Sequence, residues 1–361
     1  MNSRERVLAA LNNEQPDRVP IFELWISESS YFGIAKILGL DVNEFKGHRD
    51  MHGEECISSK DVYCTVIEKL ELDATSSEIS TGLRHISEDR AINKYGVIQR
   101  LSEHAEPYPV EGPIKEPSDL KGFDMVSKLA PEDFAGIEHV IGRVGSDKAH
   151  FVQISDPFQI SWVLRGAMQN LLRDYIRNPQ LVHDLARIAV DFQMAVIDKL
   201  LEMGVTVMDM NGDLAGEENT LMSPEHYREY IKPYQKKVVD YVHEKGARII
   251  KHTDGNIWPI LDDMVEIGFD GIHPFQPQCM DLGQVKKYLA GKACVIGNID
   301  CRNLLPFGTE DEVERAVIEA IETAAAGGGY IISSSNSIHP RCKPENYVAM
   351  VKASHEYGTY D

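Results

Sequence analysis

The chain lacks several features that would settle its class at once. Its 361 residues contain no run of about 18 apolar residues, so no segment reads as a membrane-spanning helix. The six cysteines (Cys56, Cys64, Cys279, Cys294, Cys301 and Cys342) are scattered with no CxxC pair. That argues against a disulfide framework and against a structural zinc knuckle. There is no GxGxxG or Walker loop, so nothing calls for a nucleotide. Positive charge is scarce: 37 Lys and Arg face 57 Asp and Glu, a formal charge of −20. A field of that sign argues against nucleic acid and against an anionic membrane surface as partners. An anionic small substrate stays open only where local Arg or Lys override the global field. Met1-Asn2-Ser3-Arg4-Glu5-Arg6 has no apolar signal core, and a cytoplasmic location is the expectation.

What is present is a rhythm. Short apolar runs stand at His150–Ser155, Val205–Met210, Arg248–His252, Phe269–His273, Ala293–Asn298 and Gly329–Ser333. Helical patterns fill the gaps: Leu171–Met203, Pro224–Lys245, Ile257–Ile267, Leu282–Leu289, Glu310–Ala326 and Pro344–Tyr357. Continuous rather than alternating apolar runs indicate strands buried on both faces, as in a parallel sheet. Strand, loop and helix in regular succession are the βαβ signature. Arg18–Leu24, following an amphipathic helix over Ser3–Asn12, and Leu72–Thr75 bring the strand count to eight. The fold class expected is α/β: one (β/α)8 barrel spanning 1–361, with an N-terminal elaboration. Ala91–Ser102 predicts a β-hairpin turning near Tyr95-Gly96, and residues 103–135, with five prolines, an irregular connection. An open doubly wound sheet is the structural competitor.

The richest stretch is Ile249-Ile250-Lys251-His252-Thr253-Asp254-Gly255-Asn256. An apolar run ends in His252 and Asp254, two residues apart and therefore on the same side of the strand end. In α/β proteins that end is where active sites collect. The other strand ends carry Asp156; Asp209, Asn211 and Asp213; His273 and Gln276; Asn298 and Asp300; and Ser333 to Asn336 with His339. Helix capping accounts for part of this set. Imidazoles and carboxylates around one mouth suit either a metal or acid–base chemistry. Asp254 offers an oxygen beside His252, with Asp209, Asp213 or Glu217 to complete a shell, and Cys279 and Cys301 offer sulfur. No tight ligand spacing singles out zinc. Arg165, Lys251, Arg302 and Arg341 are candidates to hold carboxylates or phosphates. Gly327-Gly328-Gly329 precedes its strand and reads as a tight turn rather than a phosphate cradle.

Along nearly its whole length the chain resembles the uroporphyrinogen decarboxylase superfamily. The similar stretches are Arg4 to Leu11 with Pro16 to Pro20, Asp89 to Ile98, and Asp156-Pro157-Phe158. They continue through Asp209 to Asp213, Met222 to Glu225, His252 to Asn256, Gly271, Gly297 to Asp300, and Pro340 to Tyr357 with Pro344-Glu345-Asn346. The resemblance implies a single (β/α)8 barrel. True decarboxylases of this group carry an N-terminal Arg-Gln-Ala-Gly-Arg motif that clamps the porphyrinogen carboxylates. Here Phe22-Glu23-Leu24-Trp25-Ile26-Ser27-Glu28 occupies that region, and acids there would repel a polycarboxylate.

The branch of corrinoid-dependent methyltransferases is more similar. Its thiol-activating members hold zinc on a His-x-Cys pair and a further Cys near the last strand. His252 keeps the imidazole, Asp254 replaces the first thiolate, and Ser335 or Asn336 stands at the second. The resemblance therefore implies a methyltransferase working with a corrinoid carried by a separate protein, on a small methylated, thiol, folate or methoxylated compound. Zinc would sit in a harder oxygen-rich site, with His252, Asp254 and Glu217 as ligands. His252, Asp209 and His339 are the catalytic candidates. Asp213, Asn298, Asn336 and Arg341 are the substrate-binding ones. The alternatives are a metal-free decarboxylase using Asp209 or His339 as proton donor, and a non-catalytic ligand-binding barrel.

Overall fold

A computed structural model describes residues 1–42, 57–101 and 107–360. Eleven strands occur among the described residues: β1 (Ala74–Glu78), β2 (Arg84–Ser87), β3 (Arg90–Ile92), β4 (Ile98–Arg100), β5 (Tyr108–Glu111), β6 (Ala149–Ser155), β7 (Val207–Asn211), β8 (Arg248–His252), β9 (Gly271–His273), β10 (Cys294–Ile296) and β11 (Tyr330–Ile331). Seven form one curled parallel sheet in the order β1-β6-β7-β8-β9-β10-β11, so every neighbour is also the next parallel strand in the chain. The remaining four form a separate antiparallel sheet, β2-β3-β4-β5. In it β3 and β4 pair across a turn in which Val97 accepts from the Asn93 N–H.

Burial on both faces explains the apolar runs. Ala74, Ala149, Phe151, Val207, Ile250, Cys294, Ile296 and Ile331 pack inside the curl with Phe22 and Leu24. Their sequence neighbours Val152, Met208, Ile249, Ile272, Val295 and Tyr330 join the larger core shared with the helices. The helix Ser3–Leu11 seals the end where the strands begin, packing Val7, Ala10 and Leu11 against the inner set. Asn2 starts it with a reciprocal capping box to Glu5.

The segment expected as a first strand, Arg18–Leu24, is not a regular strand. Ile21 makes an isolated parallel bridge to Ile332, and Ile26, just beyond the segment, makes another to Ile338. Its contacts reach both edges of the sheet. Phe22 N–H donates to the Ile332 carbonyl, and Asp73 N–H donates to that of Ile21. A buried carboxylate, Asp73, holds the segment from below: it accepts from Ile21 N–H, Arg6 and Arg18 at 2.9, 2.6 and 2.8 Å.

Three expected helices divide, and proline divides each. Leu171–Met203 becomes Met168–Arg177 and Pro179–Glu202, because Asn178 before Pro179 sits at φ −141°, outside the helical region. Pro224–Lys245 breaks at Ile231, two residues before Pro233. Ile257–Ile267 opens as a 3-10 turn over Trp258–Ile260 around Pro259 before continuing as Leu261–Ile267. Leu282–Leu289 and Pro344–Tyr357 run as expected. Glu28–Ile37, Ile57–Lys69, Ala135–Val144 and Pro157–Leu164 are helices beyond those expected from the sequence pattern. The stretch taken as irregular contains β5, while its residues 103–106 lie outside those described. The five described cysteines are unpaired, and no helix among the described residues is long and apolar enough to cross a membrane.

Candidate metal centre at the strand ends

β8 delivers His252 to the C-terminal edge of the sheet, and the chain turns at once. Gly255 makes the turn possible. Its φ is +88°, and a Cβ there would lie 2.4 Å from the Gly216 carbonyl oxygen. Both the conformation and the close approach need a residue without a side chain. The turn brings Asp254 back towards His252, and the loop after β7 brings Asp213. The Asp254 N–H donates to Asp213 Oδ1 at 3.0 Å, locking the two acids together. His252 Nε2 faces Asp213 Oδ1 at 3.9 Å and Asp254 Oδ1 at 4.0 Å. One ligand atom from each residue falls within 4.8 Å of the others.

The electrostatics of this cluster are set by burial. His252 is pushed down to about 3 by desolvation, with the Lys251 ammonium adding to the effect, so its imidazole is neutral. Asp254 is pushed up to about 7 by burial and then by the Asp213 carboxylate. Its two oxygens differ. Oδ2 accepts from Asn336 Nδ2 at 2.6 Å, while Oδ1 is buried without a hydrogen-bond partner. Below His252, its Nδ1 meets His273 Nδ1 at 2.8 Å, and His273 Nε2 meets Ser333 Oγ at 3.4 Å. His273 is wholly buried and likewise held neutral by desolvation.

Three donors converging on one point, one of them an orphaned buried carboxylate oxygen, fit a divalent cation. Ligand bonds to zinc of about 2.0–2.2 Å for N and O place tetrahedral donors roughly 3.3–3.6 Å apart, so the three groups would draw in by a few tenths of an ångström around an ion. An imidazole whose second nitrogen is held by a hydrogen bond is the usual form of a metal-ligating histidine.

A cavity of about 480 Å³ opens beside the cluster, lined by Gln276, Cys301, Arg302, Asn303, Pro306, Phe307, Asn336, Ser337, His339 and Arg341. Asn336 joins the two, since its amide donates to Asp254. Gln276 does so as well, accepting from Gly255 N–H at 3.0 Å. Arg341 packs over the exposed ring of Phe307 and makes no ion pair among the described residues.

The other expected site residues are placed differently. Glu217 is ion-paired with Arg302 and stands apart from the converging donors, and Asp213 takes the third position. His339 has no ring nitrogen to spare: Nε2 bonds to the Cys301 carbonyl at 2.9 Å, and Nδ1 accepts from Arg341 N–H at 3.2 Å. A ring tied at both ends holds the loop. Asp209 lies on the same side of β7 as Val207, inside the curl, with neither oxygen hydrogen-bonded. Asn298 is buried and spends its amide N–H on the Phe275 carbonyl. Lys251 is wholly buried, bonded to Asp156 and to the carbonyls of Met210, Gly212 and His252, so it cannot reach a ligand. Arg165 is taken by Asp174. Asp156 proves to be the cap of Pro157–Leu164, and Asp300 bonds the N–H groups of Arg302 and Asn303. His273 and Gln276 stand at a strand end in the sequence with no spacing that assigns them a role.

The profile of the uroporphyrinogen decarboxylase (URO-D) family matches residues 93–357, most of the chain. The chain belongs to that family. Within it the relatives fall into two kinds. Methylcobamide:CoM methyltransferase MtaA of Methanosarcina barkeri is 22% identical and aligns over 98% of both chains. Uroporphyrinogen decarboxylase of Prochlorococcus marinus (strain NATL1A) is 26% identical but aligns over 66% of this chain and 67% of its own. A solved methyltransferase from Methanosarcina mazei superposes with a TM-score of 0.78 over 99% of each chain at 20% identity, which establishes a shared fold. In this URO-D family member Glu23 is a buried carboxylate that accepts from the Ser334 N–H and hydroxyl. Burial pushes Glu23 up to about 8.

Proposed function

We propose that this URO-D family member is a methyltransferase that moves a methyl group between a small substrate and a corrinoid carried by a separate protein. The observation that carries the reading is the convergence of Asp213, His252 and Asp254 beside the Arg341 cavity. Its support is the full-length similarity to a methylcobamide:CoM methyltransferase, where the decarboxylase matches cover two thirds of the chain. The frame is a single domain. The Ile21 segment, bonded to Ile332 on one side and Asp73 on the other, acts as the eighth staves of a closed (β/α)8 barrel.

In this reading His252 Nε2 and the carboxylates of Asp213 and Asp254 hold a divalent cation, zinc or a harder ion of similar size. Such an ion polarises a bound heteroatom and stabilises the charge left on it. That assistance is needed because transfer of a methyl group as a cation equivalent leaves its electron pair on the heteroatom. Two bare carboxylates at this point would oppose that charge. Asn336 holds Asp254 in its ligating orientation. The Arg341 guanidinium, fixed over Phe307, suits an anionic group on the substrate, and the phenyl ring suits an apolar body.

The test is metal analysis together with methyl transfer. Protein reconstituted with zinc or manganese should retain about one ion per chain, and chelation should remove methyl transfer from methylcobalamin. A His252→Ala, Asp254→Ala double substitution should lose the ion. Release of CO₂ from a carboxylated substrate by metal-free protein would favour the decarboxylase reading instead.

A further inference from the structure

The contact between His252 and His273 goes beyond this assignment, although it rests on the metal reading of the same site. Two imidazole nitrogens 2.8 Å apart must share one proton. Two lone pairs would repel each other, and two N–H groups would clash. One ring therefore donates and the other accepts, and the direction decides what His252 presents to the two acids.

The surroundings of His273 decide that direction. Its Nε2 lies 3.4 Å from Ser333 Oγ, and a hydrogen bond to the Ser334 backbone stabilises a proton on the ring. Phe22 packs edge-on against it with ring centroids 6.4 Å apart, which holds the ring's orientation. A neutral His273 protonated at Nε2 has its lone pair at Nδ1. It then accepts from His252 Nδ1–H, and His252 Nε2 is left with a lone pair aimed at Asp213 and Asp254. In the opposite arrangement His252 Nε2–H would point at carboxylate oxygens 3.9 and 4.0 Å away. With a proton at Nε2 the ring would have no lone pair there for a cation.

We propose that His273 is a positioning residue that sets the tautomer of His252, so that Nε2 is presented unprotonated to a cation held with Asp213 and Asp254. The chain of control runs from Ser333 and Ser334 at the last strand, through one imidazole, to a second. Histidine ligands are commonly oriented by a carboxylate or carbonyl, and here the orienting group is another neutral imidazole.

Long-range ¹⁵N–¹H spectra of histidine-labelled, metal-free protein read the tautomer directly, with His252 assigned from a His252→Gln variant. The wild type should show His252 protonated at Nδ1, and His273→Phe should shift it to Nε2. Zinc and manganese affinity, measured by competition with a chelating dye, should fall roughly 10- to 100-fold in His273→Phe. His273→Gln, whose amide oxygen accepts the same proton, should retain the Nδ1–H tautomer and most of the affinity. An Nε2–H signal for His252 in the wild type overturns the proposal, and so does a His273→Phe protein that folds and binds both ions as tightly as the wild type. If the wild type binds neither ion, the metal reading fails by itself, and the tautomer spectra still decide what His273 does.

Discussion

At the scale of single residues, burial is what turns ordinary acids and imidazoles into a site. His252, Asp254 and Asp209 would titrate normally on a surface; desolvation moves each towards its neutral form. Asp209 gives the cleanest test because it touches neither acid of the cluster. Burial pushes it up to about 7, only partly offset by Lys251, whereas an unfolded aspartate titrates near about 3.9. Between those values the folded chain keeps a proton that the unfolded chain has released. Stability therefore falls as pH rises from about 4 to about 7 and levels off above that. Asp209→Asn should remove this slope. The difference in unfolding free energy between pH 5 and pH 8, from urea titrations, should shrink by about 2–3 kcal/mol, following roughly 1.4 kcal/mol per pH unit. Parallel pH curves for the two proteins would show that Asp209 has found a partner the structure does not contain.

At the scale of elements, the site is a product of what happens just beyond the strands. β8 ends at His252, and the Gly255 turn folds Asp254 back onto it while carrying its N–H to Gln276. Gly255→Ala should force the loop around Gly216 apart, since backbone rather than a flexible side chain meets the new methyl group. The expected cost is about 1–3 kcal/mol in thermal or urea unfolding, with weaker cation binding. Unchanged stability and affinity would mean that this loop yields freely. His252, Asp254 and the Gly-Asn turn were legible in sequence because they sit within five residues. The pairing of Asp213 with Asp254 was not, since 41 residues separate them and only the parallel register of β7 and β8 aligns their strand ends. Glu217 looked an equal candidate for the same reason, and a surface ion pair with Arg302 takes it elsewhere.

At the scale of the whole molecule, the N-terminal segment links the two edges of the parallel sheet, and one carboxylate anchors it. Asp73 is fully buried against Arg6 and Arg18 and accepts from the Ile21 N–H. Asp73→Ala should leave the Ile21 N–H without a partner and take the carboxylate from Arg18, while Arg6 keeps Asp17. A buried donor left without its partner costs about 1–3 kcal/mol, which a lowered urea midpoint would register. A loss below about 1 kcal/mol would mean that the segment is held by its apolar contacts, with Phe22 stacked on Phe151 at 4.1 Å between ring centroids.

The sequence by itself determined the parallel βαβ order, because strands buried on both faces must be apolar throughout and their helices must show a 3.6-residue period. It also determined His252 and Asp254 at one strand end. The tertiary structure decided which distant groups meet there. It selected Asp213 over Glu217, set His273 beneath His252, removed His339 and Lys251 by satisfying their nitrogens internally, and left Arg341 facing the cavity. The physical reason is that periodicity records which face of an element is buried, whereas hydrogen bonding and desolvation at a site depend on groups that only the curled sheet brings within a few ångströms.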